Sequence, residues 1–155
     1  MHRIVASLVL ILFVWGVGYA QDRGCSDSDS KQAESEAETL RTWDSLYKSY
    51  SLYRNCDDGA IAEGYSESVA RILVDHWNTL PGLADLAKKN EQFFRFVLRH
   101  VDATDDDDDL RKIRAKAATQ CRAGLSGICR DLKKAANSAL KESNSFQQGK
   151  PRNPH

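Results

Sequence analysis

Leu40-Arg41-Thr42-Trp43-Asp44-Ser45-Leu46-Tyr47-Lys48-Ser49-Tyr50-Ser51-Leu52-Tyr53 is the stretch that decides the fold class. Leu40, Trp43, Tyr47 and Tyr50 recur at i, i+3, i+7 and i+10, with Leu46 and Tyr53 beside them, which is one apolar face of an α-helix. Asn55-Cys56-Asp57-Asp58-Gly59 breaks this helix, and an Asp at 57 or 58 supplies the side-chain oxygen that caps the next one. Ile61, Tyr65, Val69, Ile72, Leu73 and His76 or Trp77 then mark a second helix.

The same period runs on to residue 142. Pro81 suits a first helical turn, and Leu83 to Lys89 form a short helix. Asn90 caps a segment in which Phe93, Phe94, Phe96, Val97, Leu98 and Val101 leave little polar surface, so it is expected to be the most buried helix. Thr104 or Asp105 opens the next helix, with Leu110, Ile113, Ala117 and Cys121 on one face. Ile128, Leu132, Ala135 or Ala136, and Leu140 mark the last. No strand pattern interrupts these periods, so the chain is read as all-α, an irregular bundle of five or six short helices.

The ends differ from this centre. Met1-His2-Arg3 leads into an apolar run from Ile4 to Val17 and then Gly18-Tyr19-Ala20, the pattern of a signal peptide cut after Ala20. The uncharged window of 18 residues between Arg3 and Asp22 is short for a membrane anchor. Residues 1–20 are therefore expected to direct export, 21–35 to be a flexible linker, 36–142 the helical domain and 143–155 a disordered tail. A periplasmic or secreted location follows, without a membrane span once the signal is removed.

Export places Cys25, Cys56, Cys121 and Cys129 where disulfides form. The Gly- and Ser-containing gap between Cys121 and Cys129 is a turn, so a local bridge joining two helices is expected; Cys56 is either joined to Cys25 or unpaired. The cysteines lack CxxC spacing and nearby histidines, so neither a metal nor a cofactor is expected.

The whole chain has 22 basic and 22 acidic residues, but they are segregated. Residues 36–109 hold 16 acids against 8 bases, and residues 110–142 hold 9 bases against 2 acids. The run Asp105, Asp106, Asp107, Asp108, Asp109 resembles the start of a calcium loop, yet Leu110 stands where such a loop needs Gly and Lys116 where it needs Glu. Carboxylates crowding a helix N-terminus explain the run better. The basic stretch is read first as a solvated face partly neutralised by the acidic segments it packs against; the sharper reading is docking onto an acidic protein partner, and near-zero net charge does not suit nucleic acid. The candidate contacts are Asp57 and Asp58, Asp105 to Asp109, and Arg111, Lys112 and Arg114. Trp43, Tyr47, Tyr50 and Tyr53 are read as core more than as a binding groove.

No GxSxG, HExxH or CxxCH motif is present, and Asp75 and His76 are adjacent and so face different sides of a helix. His100, between Arg99 and Asp102, is expected to satisfy a local hydrogen bond. No catalytic residue is assigned. An envelope enzyme or small-ligand binder acting on the cell wall through Asp/Glu pairs would leave no local motif and stands as the alternative.

Leu46-Tyr47, the run Cys56-Asp57-Asp58-Gly59-Ala60-Ile61-Ala62-Glu63-Gly64-Tyr65, the run Phe96-Val97-Leu98-Arg99-His100-Val101 and the pair Cys121 and Cys129 carry a resemblance. Over about Leu46 to Leu132 the chain resembles a family of small exported helical proteins of proteobacteria. In plan it is similar to periplasmic immunity proteins that neutralise cell-wall amidases delivered by type VI secretion. That resemblance implies a partner-binding inhibitor, with a secreted effector enzyme as partner, and carries over no site residue.

Overall fold

The computed structural model describes residues 24–149. Among them are seven α-helices: α1 Asp27–Ala37, α2 Trp43–Tyr53, α3 Gly59–Asp75, α4 Leu80–Lys89, α5 Glu91–Arg99, α6 Asp107–Thr119 and α7 Ser126–Gly149. Single 3-10 turns at Arg54–Cys56 and Trp77–Thr79 lead into α3 and α4. The described residues contain no strand. The expected signal peptide and the end of the expected tail lie outside them.

Side-chain caps set the helix starts. Thr42 and Ser45 form a reciprocal capping box at α2, Asp58 accepts from the Gly59 N–H at 2.8 Å, and Asn90 accepts from the Phe93 N–H at 3.2 Å. At α6 the cap is Asp106, which accepts from the Asp108 N–H at 2.7 Å, so this helix begins later than Thr104 or Asp105. Gly59 at φ +53° makes the left-handed entry to α3 that other residues resist.

Four expectations change. Residues 21–35 contain most of α1, whose Ala33 and Ala37 are buried against the bundle. Residues 143–149 continue α7 instead of beginning a tail, because no Gly or Pro interrupts the sequence from Ile128 to Gln148. The helix number rises to seven for the same reason that α1 was missed: its apolar face is only two alanines. The most buried helix is α3, with eight buried residues against three in α5. Ser66 and Ser68 bury fully within α3, whereas the exposed Arg95 and Arg99 give α5 a solvent face.

The core runs along α3 and is aromatic where α2 and α5 meet it. Phe93 stacks edge-on against Tyr47 at 4.9 Å between ring centres, and Phe96 lies 4.9 Å from Tyr50 and 5.1 Å from Tyr65. Trp43 and Tyr50 are buried and Tyr47 and Tyr53 pack partly on the core, as the core reading of these rings expects. The α6–α7 hairpin closes the other side through Leu110, Ile113, Leu132 and Ala136.

Two disulfides fasten the ends of the bundle. Cys121 and Cys129 bridge the α6–α7 turn across eight positions. Cys25 and Cys56 join the start of α1 to the turn before α3, 31 positions apart. None of the described helices is long and apolar enough to cross a membrane.

Candidate acidic groove

The α1–α3 contact begins with a missing side chain. A Cβ at Gly64 would lie 3.0 Å from both the Ala37 Cβ and the Glu38 backbone nitrogen, so any larger residue would push the two helices apart by a few tenths of an ångström. The end of α1 is then held by α3: the Ser68 hydroxyl donates to the Ala37 carbonyl at 2.6 Å and the Arg71 guanidinium to the Glu38 carbonyl at 2.9 Å. These contacts satisfy carbonyls that a helix C-terminus leaves open.

Beside this close approach, and lined in part by Gly64 itself, lies a groove of about 1090 Å³. Glu34 and Glu38 line one wall, and Glu63, Glu67, Arg71 and Asp75 line the α3 wall at helical spacing. Thr104, Asp105, Asp106, Asp109 and Lys112, from the α5–α6 connection and the start of α6, complete it. Eight carboxyl groups thus face two bases. Both bases are already engaged, Arg71 with Glu67 and Lys112 with Asp109 at 2.7 Å. Glu34, Glu38 and Glu63 form no ion pair among the described residues. The groove presents uncompensated negative charge in a concave space, where low-dielectric walls strengthen its field. Among the described residues no three His, Cys, Asp or Glu side chains are grouped as a metal ion would require.

Asp105 is the most perturbed of these groups. Burial first, and then the Asp102 charge, push its carboxyl up to about 8, against a weaker opposing hydrogen bond from the Asp102 N–H at 3.3 Å. Asp109 and Glu67 add to the rise. This rise favours the protonated form of Asp105 up to about pH 8.

A second polar cluster lies beneath the groove wall. His100 is 4% exposed, with Nδ1 3.0 Å from the Ser66 hydroxyl and Nε2 3.1 Å from Asp57 Oδ1. The Nε2 contact is at ion-pair distance but off the axis of a hydrogen bond, and neither atom has another partner. Ser66 donates to Asp102 Oδ2 at 2.9 Å, and Arg99 donates to Asp57 Oδ2 at 2.9 Å. For Asp57, burial raises the carboxyl, but His100 and Arg99 together outweigh it and leave it below the ordinary value. The order Ser66, His100, Asp57 resembles a nucleophile chain. Ser66 is only 2% exposed and its proton is committed to Asp102, so no substrate carbonyl reaches it. This chain ties the α5–α6 connection to α3.

The expected contact residues divide accordingly. Asp105, Asp106, Asp109 and Lys112 converge in the groove. Asp57 lies outside the groove, with its side chain 9% exposed and bound to His100 and Arg99. Asp58 is exposed at the α3 cap. Asp107 and Asp108 pair with Arg111 at 3.1 and 2.7 Å, and Arg114 is exposed on α6 outside the groove. His100 makes long-range contacts through both ring nitrogens instead of a local hydrogen bond. Sequence reasoning missed Glu34, Glu38, Glu63 and Glu67; the i, i+4 spacing within each pair was the available signal. Comparison with family models, curated proteins and solved structures finds no significant match to this chain.

Proposed function

We propose that this is an exported partner-binding protein whose acidic groove receives a lysine- or arginine-bearing segment of a protein partner. The single observation that carries the reading is the groove itself, with eight carboxyl groups and two bases already paired within it. Uncompensated charge in a concave site steers an oppositely charged partner and fixes its register. The two disulfides suit an oxidising compartment, and blocking a cell-wall enzyme, as an immunity protein does, is the use to which such a small helical binder is put in this proposal. The test is co-purification from the periplasm beside a Glu34→Lys/Glu38→Lys/Glu63→Lys variant. A partner retained by the native protein and lost by the variant supports the reading; equal retention moves the contact elsewhere.

One observation favours a second reading, an envelope enzyme acting through carboxylates. Asp105, its carboxyl pushed up to about 8, shares one groove with other carboxyl groups, an arrangement from which a general acid and its partner can be drawn. Release of soluble fragments from peptidoglycan by the native protein, abolished by Asp105→Asn, would establish this reading over binding.

A further inference from the structure

Of the three walls of the groove, α1 has the least to hold it. Its only buried residues are Ala33 and Ala37, and an isolated helix of 11 residues is marginal in water. Its Glu34 and Glu38 line the same groove as Glu63 and Glu67 of α3, so like charges oppose the docking. The end of α1 is fixed by Ser68 and Arg71 and by the chain running into α2. Its start is fixed by the Cys25–Cys56 bridge.

We propose that the Cys25–Cys56 disulfide is a redox latch that holds α1 as the movable wall of the acidic groove. This rests on the groove reading above and names how that site is regulated. Cys25 is exposed and Cys56 buried, so an incoming thiolate meets the Cys25 sulfur. A dithiol reductant opens the bridge in two exchanges. Its first thiolate bonds to Cys25 Sγ and the Cys56 thiolate leaves; its second thiolate then forms the reductant's own disulfide and releases Cys25. The protein gains two electrons and two protons as thiols, and the dithiol loses them. With the latch open, repulsion between the walls frays α1 from its disulfide end, and Glu34 leaves the groove before Glu38. Coupling is reciprocal, so a cation lying between the walls shifts the thiol–disulfide equilibrium toward the closed latch.

The experiment uses the full exported chain with Cys121→Ser/Cys129→Ser, which leaves one reducible bridge, and hexalysine as the cationic probe. Hydrogen exchange is followed with and without dithiothreitol, together with a Cys25→Ser/Cys56→Ser variant that retains the Cys121–Cys129 bridge. Reduction and the Cys25→Ser/Cys56→Ser variant should each speed exchange of the amides of residues 29–34, on the order of a hundredfold, and that near Ala37 less. The α3 and α5 amides should remain protected. Hexalysine should bind about tenfold more weakly to the open form and, at saturation, should shift the equilibrium with dithiothreitol about tenfold toward the oxidised bridge. Unchanged α1 protection in both open forms, or loss of protection spread evenly over α3 and α5, overturns the latch. If α1 loosens as expected but hexalysine fails to bind the oxidised protein, the latch stands and the acidic-groove function falls.

Discussion

Replacing Asp105 by Asn removes one ionisable group while keeping the side-chain shape and the oxygen that accepts the Asp102 N–H. In the native protein this carboxyl titrates near 8, far above its ordinary value of 3.8. Its folded pKa is the higher one, so the fold gains from the bound proton in acid and loses that gain as pH rises toward 8. The loss amounts to about 2–6 kcal/mol; the upper end is the full shift at about 1.4 kcal/mol per pH unit, and the lower allows for water at the exposed edge. Urea unfolding with both disulfides intact, repeated from about pH 4.5 to pH 8.5, reads the effect directly. Asp105→Asn should match or exceed native stability, with an advantage that grows steadily with pH. Parallel stability curves for the two proteins would show that Asp105 is not a protonated acid in the folded state.

Other perturbations follow from the same geometry. His100→Ala leaves Asp57 buried without its main partner and should cost about 3 kcal/mol in urea unfolding; a loss below about 0.5 kcal/mol would contradict the buried tie. Because Asp57 lies below its ordinary value, its stabilisation is present above about pH 4 and is lost as pH falls through the lowered folded value, and His100→Ala should weaken that acid dependence. Gly64→Val forces a Cβ against Ala37 and the Glu38 backbone and should cost about 1–3 kcal/mol, with exchange loss concentrated in α1. Cys121→Ser/Cys129→Ser opens a short loop and should cost about 2–3 kcal/mol without changing the helical circular dichroism.

Helical period was legible wherever large apolar side chains carry it, which is why α2, α4, α5 and α6 were readable from Trp43, Leu83, Phe93 and Leu110. It failed where small or polar residues do the packing. Ala33 and Ala37 stand among serines and acids, so α1 looked like linker although Ser26 and Asp29 form a serviceable N-cap. Ser66 and Ser68 are buried by partners 31 to 36 positions away, and nothing local distinguishes them from surface serines. Of the site, the Asp105–Asp109 run was visible, but which of its members enter the groove depends on how α6 begins. Asp57 looked like a free surface acid because Arg99, 42 positions away, and His100 meet it only after folding. Convergence of α1, α3 and the α5–α6 connection is tertiary, and a charge count along the chain does not contain it.

The groove's affinity for a cationic segment is the central claim, and calorimetric titration of the oxidised protein with hexalysine at low and physiological salt tests it most directly. Hexalysine should bind in a one-to-one ratio at low salt and weaken steeply as the Debye length falls to about 8 Å. Glu34→Lys/Glu38→Lys/Glu63→Lys should abolish the binding while unfolding normally in urea. Binding that survives both physiological salt and the triple charge reversal, or no binding at low salt, would contradict the account.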